Sequence, residues 1–280
     1  MAERSEEEVR STVREHYGQV AEIGVGAGCA PGCCGASSNG ASASLALGYS
    51  SEELASLPEG ADLGLGCGNP QAIAALQAGE TVLDLGSGAG FDCFLAGKQV
   101  GPTGRAIGID MTAQMVAKAR ANAAKVDAKN VEFRLGEIER LPVADGAIDV
   151  ILSNCVINLS PDKPAVYREA FRVLRAGGRL AISDVVTTAP IPKELRENVD
   201  ALSACINGAA AIADIERALR EAGFEDVRVT PRPESRTFIA GWMPGSGAED
   251  YIASATIEAK KPIEATACCG PTCCTPGAAV

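Results

Sequence analysis

The sequence predicts an α/β fold in which a mostly parallel sheet is covered by helices on both faces, with a helical arm before it and a covering region after it. Three observations carry this expectation. From Glu80 onward, compact apolar runs alternate with helical ones, the order from which parallel sheets are built. AIDVILSN (147–154) is an almost continuous apolar run, as a strand buried on both faces requires. A glycine-rich loop, DLGSGAG (84–90), joins the first strand to its helix.

The elements follow in order. Residues 4–23 place apolar and charged side chains at helical spacing, with carboxylates crowding the first turn. GVGAGCAPGCCGASSNGASAS, rich in Gly, Ala and Ser, reads as a mobile loop. A serine cap followed by acidic residues starts a short helix near Ser51. GADLGLGCGNP (60–70) is a glycine-rich connection, and a short helix over 71–77 follows it. TVLDLG, GRAIGID, NVEFRLG, AIDVILSN and RLAISDVV read as five strands. Between them FDCFLAGKQV, AQMVAKARANAAKV and DKPAVYREAFRVLRAGG read as helices, the last ending in a glycine C-cap. PKELRENVDALSAC and IADIERALREAGF read as further helices, and DVRVTP and YIASATIEAK as final strands. The expected organisation is an arm with a Cys-containing loop (1–60), a nucleotide-binding core (61–188), covering helices and last strands (189–260), and a Cys-rich flexible tail (261–280).

Composition excludes several functions. The chain has 280 residues and a net charge of −11, with no Lys/Arg-rich run to neutralise phosphates or an anionic bilayer. Nucleic acid and membrane are therefore not expected partners. The polar, acidic start and the lack of a spanning apolar run point to the cytoplasm, and nothing demands more than a monomer. In that compartment the eleven cysteines are expected to be reduced and to serve soft-ion or redox chemistry rather than a disulfide scaffold.

In DLGSGAG the backbone must approach a ligand closely, which favours Gly86, Gly88 and Gly90. The loop alone is equally a tight strand-to-helix turn. The dinucleotide fingerprint would need glycine at position 91, which is Phe91. Asp110 ends the second strand about twenty residues further on, where a carboxylate can accept ribose hydroxyls. These residues resemble the class I S-adenosylmethionine-dependent methyltransferases, with their Rossmann-like sheet, over about residues 78–186. The resemblance implies S-adenosylmethionine as cofactor, lined by Asp84, Gly86, Ser87, Gly88, Gly90, Asp110, Met111, Glu137, Ile138 and Asn154.

Three cysteines stand apart. Cys155 directly follows the fourth strand and points to the crevice where open α/β sheets bind ligands, although a buried cysteine is as often a small hydrophobe. Cys67 lies between glycines before the core, and Cys205 lies in SACINGAA after the fifth strand. Their spacing is not that of a zinc site. Cys93 reads as core packing, and the single histidine, His16, as a helix-surface residue. GLGCGNP, DLGSGAGFDCF, GIDMT, LGEIERLP, SNCVINLSPDK and FRVLRAGGRLAISDV together resemble the bacterial arsenite methyltransferases, over about residues 47–260. That resemblance implies As(III) held by Cys67, Cys155 and Cys205. It also implies thiol chemistry that returns methylated arsenic to the trivalent state. Cys33 and Cys34 are candidate redox partners, with Cys29 and the tail cysteines 268, 269, 273 and 274 beside them, and thioredoxin or glutathione is the expected reductant. The alternatives are a carbon methyltransferase acting on a quinone or sterol, and a metalloid-sequestering protein without turnover.

Overall fold

One sheet of eight strands organises the chain. The computed structural model describes residues 5–23, 40–196 and 206–263. The strands are β1 (Thr81–Leu85), β2 (Arg105–Asp110), β3 (Val131–Leu135), β4 (Ile148–Asn154), β5 (Leu174–Thr187), β6 (Ala210–Ala211), β7 (Glu225–Arg232) and β8 (Ile252–Lys260). Their spatial order is β3-β2-β1-β4-β5-β8-β7. The first five of these run parallel, and β8 is antiparallel to both β5 and β7. The two-residue β6 pairs with β5 at Val186–Thr187, beyond the point where β4 ends opposite Ser183. Because β8 occupies the other side of β5 there, β6 continues the line of β4.

The helices are α1 (Glu6–Ile23), α2 (Gly40–Ala46), α3 (Ser51–Ala55), α4 (Gln71–Ala74), α5 (Phe91–Val100), α6 (Ala113–Lys125), α7 (Lys163–Val173), α8 (Lys193–Arg196), α9 (Ile212–Glu221) and α10 (Arg236–Ile239). Successive strand residues face opposite sides, so each strand feeds two cores. Leu83, Leu85, Ile151 and Ile182 pack with Val166 and Ala170 of α7 and Leu219 of α9. Val82, Val150 and Leu152 pack on the opposite face with Cys93 and Phe94 of α5 and Val116 of α6. Each fully buried aliphatic side chain contributes roughly 1.5–3 kcal/mol, which is why the central strands are apolar on both sides. Among the described residues no helix is long and apolar enough to cross a membrane.

Three expectations change. The end of the segment read as a loop forms α2. The Ser44 hydroxyl donates to Asp62 (3.0 Å), and Leu47 and Tyr49 bury against Leu95 just beyond. The rest of that segment, with Cys29, Cys33 and Cys34, lies outside the described residues. No glycine caps α7: Leu174 turns extended (ψ 138°) and starts β5 by pairing with Ile148, so Gly177 and Gly178 fall inside the strand's irregular beginning. Of the helix expected over 192–205, α8 spans Lys193–Arg196, and 197–205 lie outside the described residues, as do 264–280.

Candidate active site

Strand order reverses at β1, which has β2 on one side and β4 on the other, and open sheets bind ligands outside the carboxyl ends of strands at such a point. A cavity of about 440 Å³ lies there. Its floor is the glycine loop. Gly86 and Gly88 adopt φ of +70° and +51°, the left-handed region that favours glycine. The Gly86 and Ser87 amides both donate to the Ile109 carbonyl (2.7 and 2.9 Å), tying the turn to the end of β2. A Cβ on Gly86 would stand 2.4 Å from Val156, whereas one on Gly88 would meet nothing within 4 Å. The space above Gly88 is therefore ligand space. The Ser87 hydroxyl, on the same wall, is buried and has no hydrogen-bond partner among the described residues.

Asp110 closes the next wall. Its Oδ2 accepts from the Gly88 amide (2.9 Å) and its Oδ1 from the Thr112 amide (2.8 Å). Burial pushes its carboxyl up, against the pull of these amides. Met111, Thr112 and Ile138 continue that side.

The opposite end holds two buried acids, Asp84 and Asp92, both on the cavity wall. Asp92 Oδ1 accepts from the Tyr49 hydroxyl (2.9 Å) and from Gln71 Nε2 (3.2 Å). Asn154 Nδ2 reaches its Oδ2 (3.4 Å). Burial raises Asp92 to about 6, although Tyr49, Gln71 and Asn154 all pull it down. Asp84 is pushed well above the usual carboxylate range by burial and then by the Asp92 charge. Besides Gln71 and Asn154, the groups acting on the pair are Tyr49, Glu53, Cys93 and Asp110, none of them basic, and among the described residues neither acid has an ion-pair partner. Two buried acids on the cavity wall, without an ion-pair partner among the described residues, suit a cationic ligand.

Asn154 couples this end to the cysteines. Its Oδ1 accepts from the Cys67 amide (3.1 Å) and its Nδ2 donates to the Gly68 carbonyl (2.9 Å), pinning GLGCGNP across the crevice. The flanking glycines make room for it: a Cβ on Gly68 would lie 2.9 Å from the Ser183 side chain. Cys155 follows Asn154 at a φ of +60°, with its amide donating to the Ser183 carbonyl (2.8 Å). Cys155 lines the cavity, and Cys67, 1% exposed, lies behind it. Their sulfurs and a carboxylate oxygen of Asp184 all lie within 4.8 Å of one another. Cys205 lies outside the described residues. Its neighbour Ile206 is buried in the same cluster as Cys67, and Gly208 presses so closely on the Asn158 carbonyl that a Cβ would sit 1.9 Å from it.

Two residues expected at the cofactor do not line this cavity. Glu137 turns to α1, where it pairs with Arg14 (3.2 Å) and approaches Arg10 (3.9 Å), while Glu139 takes the wall. Gly90 serves helix packing instead, since a Cβ there would meet Phe133 at 2.6 Å and Phe94 at 2.7 Å. Cys93 is fully buried, its thiol 3.5 Å from Asp84. His16 is half-buried on α1, edge-on to Tyr17 and away from the cavity wall.

Several residues in or beside the cavity escaped the sequence reading. Asp92 and Asp184 carried a signal, since each is an acid inside an otherwise apolar run, FDCFL and AISDVV. Tyr49 carried none. The roof comes from distant segments, with Val13 and Tyr17 of α1 on one side and Phe238 and Trp242 on the other. Trp242 is the chain's single tryptophan, so its fluorescence reports on the cavity.

Comparison with known proteins bears on this geometry. A methyltransferase-domain family model matches residues 76–223, more than half of the chain. An arsenite methyltransferase of Halobacterium salinarum is 52% identical over 270 residues, which cover 94% of this chain and 69% of that protein. One from Aquipseudomonas alcaligenes is 46% identical over 59% of this chain, which spans about half (49%) of that protein's length. Among solved structures, CrArsM, an arsenic (III) S-adenosylmethionine methyltransferase from Chlamydomonas reinhardtii, superposes with a TM-score of 0.59 at 32% identity, over 81% of this chain and 75% of that one. By this likeness the chain belongs to the arsenite methyltransferase family of S-adenosylmethionine-dependent methyltransferases.

Proposed function

We propose that the protein transfers methyl groups from S-adenosylmethionine to trivalent arsenic held by the thiolates of Cys67, Cys155 and Cys205. The observation that carries this reading is the meeting of the Cys67 and Cys155 sulfurs beside a cavity shaped for a cationic nucleoside. S-adenosylmethionine supplies a methyl group on an electron-deficient sulfur. Asp110 suits the ribose hydroxyls, Asp84 and Asp92 the positive end, and Ile138 and Met111 the flat base. The open space over Gly88 fits the same ligand.

Trivalent arsenic is soft and prefers sulfur to oxygen or imidazole. Three sulfurs around it leave one lone pair, which attacks the methyl carbon as the bond to the sulfonium sulfur breaks and S-adenosylhomocysteine leaves with that electron pair. No proton is transferred in that step, so no general base is needed, which agrees with a histidine kept off the cavity wall. The chain contributes position and dryness: Val13, Tyr17, Phe238 and Trp242 roof the crevice against water.

Methyl transfer leaves arsenic formally pentavalent. Two thiols closing to a disulfide return two electrons; one thiolate leaves arsenic and takes up one of the two protons released, the other passing to solvent, so that arsenic ends trivalent with one methyl and two sulfurs. Cys33 and Cys34 are the proposed pair, with Cys29 or the tail cysteines as substitutes and thioredoxin or glutathione reopening the disulfide. Reduced thiols require a reducing compartment, so we place the protein in the cytoplasm.

The test is purified protein with S-adenosylmethionine, glutathione and arsenite, with products separated by chromatography and detected by arsenic mass. Methylated arsenicals are expected. Cofactor binding without methylated product overturns the proposal. Deleting 262–280 leaves turnover largely intact, whereas a sequestering protein would lose its arsenic binding.

Asp92 gives the cofactor step a pH dependence. A cation needs the ionised carboxylate, so affinity falls as pH drops through about 6, by roughly tenfold per unit below it. The ligand-free protein behaves oppositely. Folded Asp92 keeps a proton that the unfolded chain releases near its ordinary value of 3.8, so this contribution to stability is lost as pH rises from there through about 6. Trp242 fluorescence titrations from pH 5 to pH 8 check the first statement. Flat affinity, or the same profile in Asp92→Asn, would refute it.

A further inference from the structure

Asp184 has no part in the proposed reaction, yet it lies against its sulfurs. It interrupts the apolar run of β5 and is 2% exposed. A carboxylate oxygen of Asp184 and the sulfurs of Cys67 and Cys155 are mutually within 4.8 Å. Zinc bonds of about 2.3 Å to sulfur and 2.0–2.2 Å to oxygen put tetrahedral donors roughly 3.5–3.8 Å apart. The three donors thus need to close by at most about 1.3 Å, a side-chain adjustment.

Each donor is also held from behind. Asp184 Oδ1 accepts from Asn158 Nδ2 and the Val185 amide (both 2.8 Å), and Oδ2 accepts from the Asn158 amide (3.2 Å). The Cys67 amide is tied to Asn154 and the Cys155 amide to Ser183. Outer contacts of this kind orient metal ligands. Cys155 lines the cavity, which gives an ion its route in.

We propose that Cys67, Cys155 and Asp184 form a binding site for one thiophilic divalent cation of the Zn²⁺ or Cd²⁺ type, which competes with arsenic for the same sulfurs. Two thiolates and one carboxylate suit such an ion, whereas trivalent arsenic selects sulfur alone. Asp184 is then the residue that separates the two ligands. The site goes beyond the methyl-transfer reading and does not depend on turnover.

The experiment titrates Cd²⁺ alone into the reduced full-length chain, in a background where cysteines 29, 33, 34, 268, 269, 273 and 274 are serine. Sulfur-to-cadmium absorbance counts ions, and the ¹¹³Cd resonance reports how many sulfurs are bound. One ion per chain with two sulfurs is expected. The band disappears in Cys155→Ser and is unchanged in Cys205→Ser. Asp184→Asn weakens Cd²⁺ at least tenfold while arsenite binding, read by Trp242 fluorescence, stays within twofold. Retained S-adenosylmethionine binding shows that this variant is folded. A three-sulfur resonance lost in Cys205→Ser, or unchanged Cd²⁺ affinity in folded Asp184→Asn, overturns the proposal. Neither result touches arsenic methylation, which the turnover assay judges separately.

Discussion

Cys155→Ser is expected to bind S-adenosylmethionine within twofold of the parent and to methylate arsenite at least roughly a hundredfold more slowly, the scale on which misplacing a reactant costs rate. Serine keeps the shape of the site. The left-handed backbone at φ +60° and the amide bond to Ser183 involve no sulfur, so Asn154 and the cofactor walls stay in place. What disappears is a soft donor. Oxygen is a poor partner for trivalent arsenic, so the pyramid loses a leg and the lone pair loses its aim. Arsenite affinity and turnover should fall together, with arsenite titrations of Trp242 fluorescence giving the first and product mass the second. Full turnover in this variant would remove the thiolate site from the mechanism, and activity on a carbon acceptor would then become the better reading.

Asp110→Ala should act at the other end of the cavity, raising the dissociation constant for S-adenosylmethionine by roughly 30- to 100-fold. That carboxylate has two duties. It offers an acceptor where a nucleoside's ribose would lie, and it ties the Gly88 amide to the Thr112 amide, joining the glycine loop to the start of α6. Hydrogen bonds to a charged group contribute about 1.5–3 kcal/mol each, and alanine also leaves two amides without their acceptor. Asp110→Asn retains an acceptor for one of them and should recover part of the loss. Calorimetric titration of the three proteins measures this order. An alanine variant that binds like the parent would place the ribose elsewhere.

How far the sequence carried these conclusions differs from element to element. β1, β2, β4 and β5 announced themselves because strands packed on both faces must be apolar along their length, and Ile148–Asn154 is the clearest case. The glycine loop and Asp110 were legible because backbone close to a ligand leaves few residue choices. The end of α7 was misread. The RAGG glycines resemble a helix cap, but pairing of Leu174 with Ile148 outweighed local preference. Glu137 was named where Glu139 lines the cavity: Arg14 on α1, more than a hundred positions earlier, pairs with Glu137, whereas Arg10, itself on the cavity wall, lies nearer Glu139 (3.6 Å).

Residue order by itself determined a parallel nucleotide-binding sheet, the floor and ribose wall of its crevice, and a supply of soft donors, since these depend on local periodicity and on the chemistry of single side chains. Only tertiary structure decided that Cys67 and Cys155 meet, that Asp184 joins them, and that Asp92 sits buried with no ion-pair partner among the described residues. Those relations arise where glycine-flanked loops and β-strand ends from separate crossovers are pressed together by burial, and distance through space across a sheet is written in its strand order and packing, not in any stretch of neighbouring residues.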